Sequence, residues 1–139
     1  MEGERLMNVL MWIVAALLAA VFLGGGGVKV ILPKEKIRAA GRIRGRDMAA
    51  WTEDFSPGAI KAIGALEVFA AIGLIVPPLL GVAPVLAPLA ALGLVLLMLG
   101  AAIVHLRRKE LPNVAANLVY LALAAAVVWG RFVVAPFTA

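Results

Sequence analysis

The chain has 139 residues, of which 64% are hydrophobic and only 15% charged, with a mean hydropathy of +1.05. An average soluble domain is roughly half apolar and about a quarter charged, so water is not the main solvent of this protein, and its length suits a single domain. The net charge of +5 does not indicate a nucleic-acid partner, because the cations sit in short connectors beside apolar runs without interleaved aromatics, and the absence of cysteine excludes disulfides, thiol redox chemistry and cysteine-held metal clusters.

A helix needs about 20 consecutive apolar residues to cross a hydrocarbon core roughly 30 Å thick. Segments 6–28, 59–76, 85–104 and 114–134 meet that requirement. The first is expected to be a retained helix and not a secretory signal, because Glu2, Glu4 and Arg5 do not form a basic leader and the apolar run is long for one. Between the first two spans lies the longest connector, 30–58, in which Lys34, Lys36, Arg38, Arg42, Arg44 and Arg46 are spaced among Ile37, Ile43, Met48 and Trp51. That mixture predicts a short interfacial helix.

Pro77, Pro78, Gly81 and Pro84 predict an uncharged turn that ends the second span near Val76 and folds the third back on it. Connector 106–112 carries Arg107, Arg108, Lys109 and Glu110 and is short enough to force another antiparallel pair. The expected fold class is therefore all-α, an integral membrane four-helix bundle running up-down-up-down.

All but Arg5 and Arg131 of the thirteen Lys and Arg residues fall at the end of the bundle that holds the two basic connectors. Excess Lys and Arg beside spans marks the cytoplasmic face. The expectation is a multi-pass protein of a bacterial plasma membrane, with both termini outside and the lipid bilayer as its first partner.

An ionisable side chain inside hydrocarbon is a functional hypothesis by default. Glu67 lies eight positions after Ala59, about 12 Å into its helix at 1.5 Å per residue. Lys29 ends the first span, His105 the third, and Asn113, Asn117 and Tyr120 share one face at the start of the fourth. One reading makes these groups cross-links between helices, with Glu67 paired to Lys29. The other makes Lys29, Glu67, His105, Asn117 and Tyr120 a ligand pocket open toward the cytoplasmic interface, with the ligand's tail among apolar helices. Trp51, Arg107 and Arg108 are expected to anchor helices at the head groups. A metal centre is not expected, since there is one histidine and no cysteine.

The order of several short motifs resembles the DoxX-like family of small four-helix membrane proteins. These are Gly26-Gly27-Val28-Lys29, then Ile63-Gly64-Ala65-Leu66-Glu67, then Gly73-Leu74-Ile75-Val76-Pro77, and finally Met98-Leu99-Gly100-Ala101 followed by His105-Leu106-Arg107-Arg108. The likeness runs from about Gly24 to Trp129. It implies that Lys29, Glu67 and His105 occupy the family's recurrent polar positions. Some relatives are described as components of quinone-linked sulfur oxidation or of membrane oxidoreductase assemblies, and animal relatives as receptor-assembly chaperones, so function does not follow from the fold.

Three functions fit these observations. The first is a binding or assembly subunit that holds a quinone or lipid, or docks a membrane protein partner or a second copy of itself. The second is a subunit of a quinone-linked oxidoreductase, with Glu67 and His105 managing protons. The third is a small transporter. No autonomous catalytic motif is present, and no cofactor is intrinsic to the chain, a bound quinone being the one the resemblance suggests.

Overall fold

In hydrocarbon a backbone must satisfy its own hydrogen bonds, which makes the helix the natural form for long apolar runs. The computed structural model describes residues 2–137. Its elements in chain order are α1 (Glu2–Ile31), α2 (Lys34–Ala40), the two-residue strands β1 (Arg42–Ile43) and β2 (Arg46–Asp47), a 3-10 turn (Ala50–Asp54), α3 (Pro57–Leu80), α4 (Leu86–Arg107) and α5 (Leu111–Trp129), which continues into a π turn (Gly130–Val134). Counting α5 with its π turn, four helices among the described residues are long and apolar enough to cross a membrane. They form the expected up-down-up-down bundle.

Packing is closest between α1 and α3 and between α4 and α5, with α3 against α4 joining the two pairs and α1 touching α5 only lightly. Leu18, Phe22, Leu74, Leu94 and Val127 meet in the interior together with small residues such as Ala71, Ala91 and Ala124. Leu17, Phe69, Leu96 and Val119 point outward, as side chains bathed in lipid do.

The prolines correct one expectation. α3 does not stop at Val76 but passes through Pro77 and Pro78 to Leu80. Their rings remove two backbone donors from the last turns only, and their carbonyls still close the helix end, accepting from the N–H of Val82 and of Gly81 at 3.0 and 3.3 Å. The reversal comes at Gly81, whose left-handed φ of 69° suits a residue without a Cβ. Pro112 likewise belongs to α5, in its first turn where a missing N–H costs nothing, so the α4–α5 connector shrinks to 108–110.

The long connector folds over its end of the bundle. The helix expected there is α2, which buries Ile37 against Ala49 and Ile60. Next comes a hairpin pairing Arg42 with Asp47 and Ile43 with Arg46, turned at Arg44 and Gly45, both with positive φ. The 3-10 turn is fixed by the fully buried Thr52, whose hydroxyl donates to the Ala49 carbonyl at 2.7 Å.

Candidate functional site: a roofed polar cavity

The site begins where α1 crosses α3. Gly26 and Gly64 face each other at that crossing, and Lys29, three residues beyond Gly26, meets Glu67, three residues beyond Gly64. Lys29 Nζ donates to Glu67 Oε2 at 2.8 Å and to Oε1 at 3.1 Å. Glu67 is only 4% exposed and sits about 15 Å from the start of α3 at 1.5 Å per residue. The ion pair allows a carboxylate at that depth.

A second pair sits at the junction of α4 and α5. The Glu110 N–H donates to the His105 carbonyl at 2.9 Å, closing a tight turn, and the same turn places Glu110 Oε1 2.9 Å from His105 Nδ1. Asn113 lies one helical step on, its Nδ2 3.4 Å from His105 Nδ1 and donating to the Met48 carbonyl at 3.1 Å.

The connector roofs both pairs. Trp51 packs edge-on against His105, ring centres 6.3 Å apart, and against Phe55 at 5.8 Å, while Lys29 Nζ stands 5.9 Å from the Trp51 ring centre. A chain of ion pairs latches this roof. Glu53 bridges Arg38 and Arg108, Asp54 pairs with Arg108 at 3.0 Å, Asp47 pairs with Arg38 at 3.0 Å, and Glu110 lies 3.3 Å from Arg108. Hydrogen bonds from Arg38, then from Arg108, hold the Glu53 carboxyl below the ordinary carboxylate range. Arg108 is pushed up, first by its bond to Asp54.

Beneath the roof is a cavity of about 490 Å³, lined by Lys29, Glu67, His105, Asn113 and Asn117, by Met48, Trp51 and Phe55 from above, and by apolar side chains of α3 and α4. Four of the five residues expected to form a pocket thus share one cavity. Tyr120 is not among its lining and instead packs edge-on against Phe22, ring centres 5.6 Å apart, beside the apolar core. Of the three residues expected among head groups, Trp51 covers the cavity, Arg108 is the centre of the latch, and Arg107 is exposed. The amide nitrogen of Asn117 is buried without a hydrogen-bond partner among the described residues.

Sequence reasoning counted Glu110 only as connector charge and did not consider the roof carboxylates Asp47, Glu53 and Asp54. The signal for Glu110 was its place just past His105 in a connector too short to separate them. It also passed over the opposite end. Arg131, read there as a terminal charge, is only 4% exposed: its Nη1 donates to Asn8 Oδ1 at 2.6 Å and to the Ala135 carbonyl at 3.1 Å, and the guanidinium lies 3.8 Å from the Phe137 ring centre.

Four spanning helices with lipid-facing apolar surfaces and a polar cavity at one end define a multi-pass membrane protein in contact with the bilayer. The sequence profile of the DoxX-like family matches residues 13–127, most of the chain, and the protein belongs to that family. The match takes in Lys29, Glu67, His105, Asn113 and Asn117 and leaves Asn8 and Arg131 outside. No curated protein and no solved structure matches the chain.

Proposed function

We propose that this protein is a binding subunit that holds the head of a small amphipathic molecule, a quinone or a lipid, in the roofed cavity at the connector end. The observation that carries the reading is the union of polar groups and apolar walls in one space. Ligand sites are concave, mostly apolar and furnished with a few placed polar groups, and a volume of about 490 Å³ lies in the usual range for them. Glu67 is engaged by Lys29, and His105 by Glu110. Both Glu67 oxygens accept from Lys29, so this carboxylate is not free to act as a general base without first losing its partner, which favours holding a ligand over transforming it there. The excess of Lys and Arg in the connectors supports a cytoplasmic location for this end, with both termini outside. Association with a membrane protein partner is the form in which such a subunit would serve an oxidoreductase or another assembly.

Native mass spectrometry of gently purified protein, followed by extraction and identification of what travels with it, tests the proposal. A stoichiometric quinone or lipid that is lost from both Glu67→Gln and Lys29→Met, with the fold retained, supports it. A chain that retains nothing, or retains the same molecule equally in both variants, sinks it.

A further inference from the structure

The cavity's walls are unequal. Its roof is shut by Met48, Trp51 and Phe55 and held by the latch on Arg108 and Arg38, so the aqueous side is covered. Its flank between α3 and α4 is not. These two helices are pressed together near their turn, where a Cβ built on Gly73 would fall 3.0 Å from the Ala90 Cβ. In the connector half, the cavity lies between Ile63 and Glu67 of α3 and Leu96, Gly100 and Val104 of α4.

Leu96, Gly100 and Val104 recur every fourth residue and so form one stripe of α4. Leu96 is 63% exposed and Gly100 is also exposed, although both line the cavity. A Cβ built on Gly100 would meet nothing within 4 Å. The stripe begins about 16 Å and passes Gly100 about 10 Å from the end of α4 at Arg107, at 1.5 Å per residue. The opening therefore faces acyl chains and lies below the head groups.

We infer that the cavity is filled sideways from the bilayer, through a portal between α3 and α4 whose sill is Leu96 and Gly100, and not from water through the roof. The inference rests on the reading of the cavity as a ligand site. It narrows the ligand class to amphipaths already dissolved in that leaflet, with a single flexible chain slim enough to lie over Gly100 while the head turns in toward Lys29 and Glu67. A soluble metabolite has no such route.

The test uses the full-length protein in phosphatidylcholine vesicles containing a long-chain alcohol with a diazirine close to its hydroxyl end, photolysed and mapped by peptide mass spectrometry. Gly100→Trp and Leu96→Trp place bulk in the portal, the first at a position where an added Cβ meets nothing within 4 Å; Glu53→Gln loosens the roof. The expected result is label on Ile63, Leu97 and Val104 in the wild type, loss of most of that label in both tryptophan variants, and no gain in Glu53→Gln. Undiminished labelling in the tryptophan variants overturns the portal while leaving the ligand site standing, and so does a gain on loosening the roof. A wild type labelled on outward-facing Phe69 but on no cavity residue overturns the portal and the ligand site together.

Discussion

Gly26 and Gly64 meet backbone to backbone: a Cβ on Gly26 would fall 2.6 Å from the Gly64 carbonyl oxygen, and one on Gly64 would fall 2.7 Å from that of Gly26. Real Cβ atoms do not come that close, and neither backbone can yield without moving its helix. The crossing is what brings Lys29 within reach of Glu67, so a packing device and a polar site are one construction.

Gly26→Ala and Gly64→Ala should each push α1 from α3 and lower stability by about 2 kcal/mol, the usual size of an overpacking penalty. Thermal unfolding in mild detergent reads this. Gly27→Ala, where nothing lies within 4 Å of the added carbon, is the matched control and should unfold with the wild type. Equal behaviour of all three variants would remove the close crossing from the account.

The Lys29–Glu67 pair should show strong coupling. Taking away one partner leaves a charge stranded among apolar helices, a loss of about 3 kcal/mol, whereas replacing both together is far gentler. A cycle of Lys29→Met, Glu67→Leu and the double variant, followed by reversible unfolding, measures this. Additive losses would mean that the two side chains do not depend on each other.

Acid should release the roof. Glu53 has a folded-state pKa below its unfolded one, so its contribution is present in full above the ordinary carboxylate range and is lost as pH falls through the depressed folded value. The component of tryptophan emission that disappears in Trp51→Phe should shift to the red over that acid window and stay constant from neutral pH down to it. In Glu53→Gln the red-shifted emission should already be present at neutral pH. A Trp51 signal that ignores both acid and Glu53→Gln would mean that the latch does not hold the roof.

At the far end, Asn8→Ala should lower stability by about 2 kcal/mol, because the buried Arg131 then has a donor without its acceptor. Ligand retention at the connector end should be unchanged. Thermal unfolding together with native mass spectrometry separates the two effects, and loss of ligand without loss of stability would reverse the assignment.

The four spans were legible because hydropathy over about 20 residues reports the solvent directly, and Glu67 stood out because an isolated carboxylate in such a run has few explanations. Its partner Lys29 was legible from depth alone. Pro77 and Pro78 misled because prolines near a helix end forfeit only their own two i→i−4 bonds while the chain keeps its helical course to Leu80, and sequence does not say which turn is final. Arg131 and Asn8 stand more than a hundred positions apart, and Arg131 is buried within a π turn that hydropathy does not announce. Trp51 was read as an anchor because aromatic residues near basic ones usually are; its place over the cavity follows from the fold of the whole connector, with Thr52 tied down and Glu53 latched, which no local pattern encodes.

Leu18, Phe22, Leu74, Leu94 and Val127 fill the middle of the bundle between the Lys29–Glu67 pair at one end and the Arg131–Asn8 clasp at the other. A bare ion crossing that stretch would shed its hydration with nothing to replace it, at a cost of tens of kcal/mol in a medium of low dielectric. In this conformation the middle of the bundle is a barrier to bare ions, with the polar cavity recessed at one end. A head group held there, as proposed, would lie deep in the membrane without short-circuiting the potential across it.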